Sequence, residues 1–484
     1  MRSRPRSLMT ATGAAVVVAL CAALTPAASE AAQAGSGRPV SEPQRLSAGL
    51  AAALQSAGFD ALVAYDQVVD GTAPTATTRP NVDLAVIELD RQGRVAAAAN
   101  VLYDRDSPDG YQVKVDQLTL ETSNVQFSRW NADRYDDPVK WAAGPDAADV
   151  LVPSSTIEKR YMLSYPASTL KLMVGFGILR LVDDHKLRLT TPVEYHERGG
   201  QTCQYAPSNP DALDPAPVAE GATDTVAGWL DQMLTVSDNF ATCVLLQKIY
   251  DADALDSTNA YFHRLGLTTL VMQPRQPAVG AGWSTGQFSM GSLDTARLLL
   301  LVAGAKGHLW SAPDHRSVTA ASGLTPRSRR YFESVLAQQS FNEVLNPVNL
   351  CGSPDAVQGI PSTVPSRWVD PVDGHVVTYD GDETIDFGYD TQPCNDRAEV
   401  TFAHKTGLVS SAGSDAGIVR ALPGQDGRQY IVSIQSSVGY RYGDPDWAAS
   451  DPNACYGAPY VCYPRGFGRI GKAVDDLVKA RPRD

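Results

Sequence analysis

Strand-like runs at both ends of this chain, with a long helical block between them, limit its fold more than any other feature. Residues 82–89 read as a strand, Asp90 to Gly93 as a turn and 94–102 as the returning strand. Far downstream come 399–404, 416–422 and 429–436, the last reached through the turn Pro423-Gly424-Gln425-Asp426-Gly427. Helical periodicity dominates from Pro166 to about Ala305. Near the N-terminus Leu46, Leu50 and Leu54 fall on one face of a helix over 42–56, and at the C-terminus Ile470, Val474 and Leu477 do so over 466–479. A sheet assembled from both chain ends has to close around what lies between them. The expected class is α+β: an antiparallel β-sheet flanked by N- and C-terminal helices plus an inserted all-α lobe. The sheet lobe is assigned to 35–165 and 322–484, and the all-α lobe to 166–321. Residues 104–150 show no clear period and are expected to hold little regular structure. Residues 351–398, rich in Pro, Gly and Asp, are expected to form an elaborate loop.

The first residues read as a secretory signal. Arg2, Arg4 and Arg6 precede an apolar run from Ala14 to Leu24, too short for a stable membrane anchor, and Ala32-Gln33-Ala34 offers a cleavage site. Removal of 1–34 leaves Cys203, Cys243, Cys351, Cys394, Cys455 and Cys462, an even set that suits disulfides in an oxidising compartment. The expected pairs are 203–243, 351–394 and 455–462. With the signal's three Arg and one Glu gone, the formal charge moves from −13 to −15. An acidic chain without a Lys/Arg block excludes nucleic acid and anionic membrane as partners of the mature form and fits a secreted, extracellular protein. The His count of 7 shows no metal-like spacing, so no metal and no cofactor is expected.

Three short motifs carry chemistry. Ser168-Thr169-Leu170-Lys171 opens a segment apolar nearly all round, from Leu172 to Val182, which marks a buried helix. Ser and Lys three apart share a helix face. A lysine at the root of a buried helix is costly unless paired or neutral, and a neutral lysine can take a proton from a neighbouring hydroxyl. The plainer reading is a capping serine and a snorkelling lysine. Ser237-Asp238-Asn239 lies between two helical patterns, where a hydroxyl and a carboxamide can point into a cleft; the plainer reading is a helix cap. Lys405-Thr406-Gly407 ends the strand that starts near Val400. There an ammonium and a hydroxyl can meet a substrate carboxylate, and a glycine lets a substrate backbone approach. The plainer reading is an exposed strand end.

Each motif occurs once, in this order, on the type of element its role requires. Together they make the chain resemble the serine β-lactamase and penicillin-binding protein superfamily, and its class A branch most closely, over roughly 42–484 with large insertions. The interval from Ser237 to Lys405 is long for class A, and 351–398 accounts for much of the excess. Gly291-Ser292-Leu293-Asp294-Thr295-Ala296-Arg297 is similar to the family helix that follows the omega loop. The resemblance implies a β-lactamase/transpeptidase-like fold and a role for each residue. Ser168 is the nucleophile, Lys171 the acylation base, and Ser237 the proton shuttle to the leaving nitrogen. Asn239 binds the substrate side-chain amide, and Lys405 and Thr406 hold the carboxylate. The backbone N–H groups of Ser168 and Leu408, next to Gly407, form the oxyanion hole. The implied substrate is a small β-lactam or a peptidoglycan-type amide.

One departure stands out. Class A enzymes carry an omega-loop glutamate that activates the deacylating water, yet no Asp or Glu occurs between Asp256 and Asp294. The expected activity is therefore a secreted serine hydrolase working through an acyl-enzyme. The alternative is a D-alanyl-D-alanine peptidase, transpeptidase or penicillin-binding sensor with slow deacylation. Gly282-Trp283-Ser284-Thr285-Gly286 also matches the nucleophile elbow of α/β-hydrolases, but the residues before it do not read as the strand that motif needs.

Overall fold

A computed structural model describes residues 41–59, 62–64, 80–135, 138–152, 157–206, 219–353, 356–380, 383–409, 411–439, 442–443 and 465–481. The signal segment 1–34 and the pair Cys455–Cys462 lie outside the described residues.

Six strands form the main sheet. They are β1 (Val82–Leu89), β2 (Val95–Asp104), β3 (Ser107–Gln112), β4 (Val400–Val409), β5 (Ala412–Ala421) and β6 (Gln429–Ser436). Their order is β4-β5-β6-β1-β2-β3, with every neighbouring pair antiparallel. The two chain ends meet where β6 pairs β1, in register from Gln429 opposite Leu89 to Ser436 opposite Val82. Both faces of the central strands are covered, which is why those strands read as nearly continuous apolar runs.

On one face lie α1 (Glu42–Ser56) and α8 (Arg465–Lys479). Leu46, Leu50 and Leu54 meet Ile470 and Val474 there, over Leu84, Val86, Val432 and Ile434 of the sheet. On the other face lie α2 (Lys171–Asp183), α3 (Val226–Thr235), α4 (Asn239–Asp251), α5 (Leu255–Arg264), α6 (Ser292–Val302) and α7 (Pro326–Leu336). Their core joins Phe176, Leu230, Leu245, Leu299 and Phe332 to Ala85, Ile87, Ile418 and Ile431. The fold is thus α+β, with the antiparallel sheet between terminal helices and a helical block. That block also contains short two-stranded ladders, such as Pro192–Glu194 with Thr223–Thr225 and Val271–Met272 with Phe288–Ser289.

The segment 104–150 departs from expectation, because it contains β3, a strand Val125–Ser128 paired in parallel with Lys159–Met162, and short helical turns at Ala132–Tyr135 and Pro138–Ala143. The edge strand β3 is half exposed, so its residues need no apolar alternation and leave no period to read. Two expected disulfides are formed, Cys203–Cys243 and Cys351–Cys394. The second staples a small core of its own in the 351–398 loop, where Trp368, Val364 and Phe387 pack with Val236, the residue before Ser237.

Candidate active site

The nucleophile candidate sits in a 3-10 turn, Ala167–Leu170, that runs directly into α2 at Lys171. Ala167 is held at φ +46°, a left-handed conformation costly for a residue with a β-carbon. Neighbours fix this turn. Thr169 Oγ1 donates to Pro166 O at 2.6 Å, and Ser414 Oγ on β5 donates to the same oxygen at 2.7 Å.

Lys171 is wholly buried and joins two of the motifs. Its Nζ lies 2.9 Å from Ser168 Oγ, 3.0 Å from Ser237 Oγ, 2.5 Å from Ser237 O and 2.8 Å from Asn239 Oδ1. Ser237 reaches this position from a left-handed turn, φ +63°, between α3 and α4. Asp238, not Ser237, caps α4: its carboxylate accepts from Ala241 N at 2.5 Å. Ser237 is thereby free of the capping role and faces the lysine, and Asn239 follows on the first turn of α4.

Lys405 on β4 is also fully buried, with Nζ donating to Thr406 O at 2.8 Å. Burial pushes its ammonium down to about 7, against the opposing pull of the Asp415 and Glu343 carboxylates. Thr406 is buried as well, and Leu408 is half-buried against the core under α1 and α8. At Gly407 the protein's own nucleophile turn comes close, since a β-carbon there would run into Pro166 O, Ser168 N and Ser414 Oγ. That crowding is tertiary and cannot be read from a strand pattern.

The omega segment, 272–291, is tied to the site through Trp283, whose Nε1 donates to Tyr165 OH at 2.8 Å. Tyr165 lies three residues before Ser168, and burial pushes its phenol up. Tyr205 packs on Trp283 with ring centroids 4.8 Å apart. Gly282–Gly286 forms part of an irregular loop, without the strand and helix that a nucleophile elbow requires. Two acidic groups of the 104–150 segment are paired: Asp104 with Lys159 at 2.7 Å, and Asp146 with Arg134 at 2.9 Å. From the 351–398 loop, Arg367 makes a two-pronged contact with Asp231 of α3, both arms 2.9 Å. The structure thus brings Ser168, Lys171, Ser237 and Asn239 together, and β4 packs on the nucleophile turn. Tyr165 and Ser414 carry no motif signal that would have singled them out, and Trp283 falls only within the Gly282–Gly286 pattern, which points to a different chemistry.

Residues 162–356 match the family model described as the Beta-lactamase enzyme family. No curated protein matches the sequence. Among solved structures, the chain is similar to PBP-A at 15% identity, over 85% of this chain and 94% of that one, with a TM-score of 0.39. A β-lactamase from Sphaerobacter thermophilus is 14% identical over 90% and 98% of the two chains, with a TM-score of 0.40. A class A β-lactamase from Bacteroides cellulosilyticus is 14% identical over 86% and 96%, with a TM-score of 0.41.

Proposed function

We propose that the chain is a secreted serine hydrolase of the serine β-lactamase and penicillin-binding protein superfamily, acting through an acyl-enzyme on Ser168; the match of residues 162–356 to the Beta-lactamase enzyme family supports this reading. Its substrates are β-lactams or related peptidoglycan-type amides. The contact of Lys171 Nζ with Ser168 Oγ at 2.9 Å carries this reading.

The hydrogen-bond inventory of Lys171 explains how the contact works. Two of its partners, Ser237 O and Asn239 Oδ1, can only accept. A neutral amine donates both its hydrogens to them and turns its lone pair to the Ser168 hydroxyl. As Ser168 Oγ attacks the carbonyl, its proton passes to Lys171. Ser237 Oγ, 3.0 Å from the same nitrogen, relays a proton to the departing amine as the C–N bond breaks. The Ser168 and Leu408 N–H groups receive the oxyanion. Lys405 and Thr406 hold the substrate carboxylate. Asn239 donates from Nδ2 to a substrate amide carbonyl, its Oδ1 being held by Lys171.

A second reading has an observation of its own. The omega segment lies against Tyr165, next to the nucleophile turn, and carries no carboxylate to activate water. Slow deacylation, as in a D-alanyl-D-alanine peptidase or a penicillin-binding sensor, follows from that. Mixing the mature protein with a penicillin and quenching at intervals tests both by intact mass. An adduct on Ser168 that persists for minutes supports the slow reading. Rapid turnover without an adduct supports an efficient β-lactamase. Labelling that survives Ser168→Ala removes the nucleophile assignment.

A further inference from the structure

Behind β4, on the face away from the helical block, lies a buried polar cluster that the chemistry above does not use. His404 is 1% exposed and Asp415 is fully buried. His404 Nδ1 lies 2.8 Å from Asp415 Oδ1, and its Nε2 lies 2.9 Å from Asn342 Oδ1. Phe402 stacks on the imidazole at 4.0 Å. Asn342 belongs to a strap, residues 339–346, that links the two walls of the cleft. At one end Gln339 Nε2 donates to Leu234 O at 3.0 Å, and Ser340 N and Oγ donate to Thr235 O at 3.0 and 2.9 Å, just before the Ser237 turn. At the other end Leu345 N donates to Asp415 Oδ2 at 3.2 Å.

The protons of this cluster can be counted. Asn342 Nδ2 faces three acceptors, Gln339 O, Ser340 O and Asn349 Oδ1, at 3.1 to 3.3 Å. That fixes the amide, so its Oδ1 faces the imidazole and can only accept. Nε2 must then carry hydrogen. A second hydrogen must lie between Nδ1 and Asp415 Oδ1, on one atom or the other. The pair therefore holds two protons, as imidazolium with carboxylate or as imidazole with carboxylic acid. Removing either proton sets two lone pairs against each other in a site sealed from water, which is costly.

We propose that His404 and Asp415 form a two-proton clasp that locks the 339–346 strap behind β4 and thereby sets the spacing between the Ser237 turn and the Lys405 strand. His404 is a positioning residue: it touches no substrate, but it holds the element that carries Lys405. Asp415 on β5 and Glu343 on the strap also act electrostatically on Lys405, the residue next to His404 on β4. Its effect on catalysis rests on the acyl-enzyme reading; its existence does not.

Two measurements separate these. In protein labelled with ¹⁵N-histidine, side-chain ¹H–¹⁵N spectra, assigned through His404→Gln, read the ring nitrogens directly. The clasp requires Nε2 of His404 to bear hydrogen. It also requires a hydrogen shared between Nδ1 and Asp415, and protection of the Leu345 amide against exchange that depends on His404. A bare Nε2, or Leu345 protection unchanged in His404→Gln, overturns the proposal. These readouts stand even where no penicillin labels the protein, an outcome that removes the functional reading alone. In His404→Gln one amide nitrogen cannot serve both partners. Acylation by a penicillin, corrected for active fraction, should then show a saturation constant weakened about tenfold, the size of one charge-assisted hydrogen bond, with the maximal rate retained. An unchanged saturation constant with a lowered maximal rate counts against the clasp, because it places the damage at the Ser168–Lys171 contact instead.

Discussion

Gly407 and Ser168 are in van der Waals conflict with any larger side chain: a β-carbon on Gly407 would lie 2.7 Å from Ser168 N, 2.7 Å from Pro166 O and 2.5 Å from Ser414 Oγ. Backbone atoms on two sides cannot yield as a side chain would. Gly407→Ala must therefore displace the nucleophile turn or β4. The expected cost is about 1–3 kcal/mol of stability, as for overpacking elsewhere. Penicillin labelling should slow about 10²-fold, because a displacement near 1 Å disrupts attack geometry. Adding Ser414→Ala relieves the contact with Oγ alone and should not restore labelling. Thermal melts and labelling rates on both variants check this.

Lys171→Ala should slow acylation by roughly 10²–10⁴-fold, the range for loss of a positioned base. Ser168→Ala should abolish labelling. Quenched-flow intact mass distinguishes slow labelling from none, and full-rate labelling of the alanine variant would exclude Lys171 as the base.

Lys405 gives the reaction a pH signature. Its folded value of about 7 lies below the unfolded value of 10.5, so the ammonium is lost as pH rises past 7. Capture of an anionic penicillin should weaken above that point, by about tenfold per pH unit while the lysine controls binding. Lys405→Met should bind weakly at all pH and lose this slope. The stability linkage has the opposite sense. The folded state holds this proton less tightly than the unfolded state, so the wild-type chain gains stability, relative to Lys405→Met, as pH rises from about 7 towards 10.5. Acylation rates and urea unfolding across pH 6–10 test both senses.

Asp83 makes a separate prediction. From β1 its Oδ2 accepts from Ser292 N at 2.8 Å, capping α6 where the helix's own residue is Gly291. Burial raises its carboxyl from 3.8 to about 6, against hydrogen bonds from Ser292 and Asn100. A raised folded value means the ionised form destabilises the native state, so stability falls as pH rises from about 4 to 6. That loss is of order 2–3 kcal/mol and should be missing in Asp83→Asn. Asp83→Ala should cost about 1–3 kcal/mol by leaving Ser292 N without its acceptor. Denaturant midpoints of the three proteins at pH 4, 5, 6 and 7 decide it.

Much of this architecture could be read before any coordinates. Residues 42–56, 82–89 and 429–436 carry strong local periodicity, and the elements formed there have those bounds. Strands β4 and β5 run further than expected, to Val409 and from Ala412, because Lys405 to Leu408 and Ser414 pair across the ladder despite breaking the apolar pattern. The motifs singled out Ser168, Lys171, Ser237 and Asn239, which the structure brings together around Lys171 Nζ, because short spacings encode them. Ala167, Ser414 and Trp283 act by shape and by contacts with distant segments, which no spacing rule encodes. The same holds for His404: it sits beside Lys405 in the sequence, yet its partners, Asn342 and Asp415, come from the strap and the next strand.

The register that joins β6 to β1 also has a consequence for how the molecule comes into being. Strand β4 connects to the N-terminal hairpin only by way of β5 and β6, so the sheet cannot close until residues 429–436 have been synthesised. A growing chain carries Ser168 and Lys171 long before the surfaces that face them exist. Contacts so far apart in sequence form late and slowly. Truncation upstream of β6 is therefore expected to give polypeptide that no penicillin labels, because Ser168 and Lys171 gain the sheet that faces them only once residues 429–436 are present.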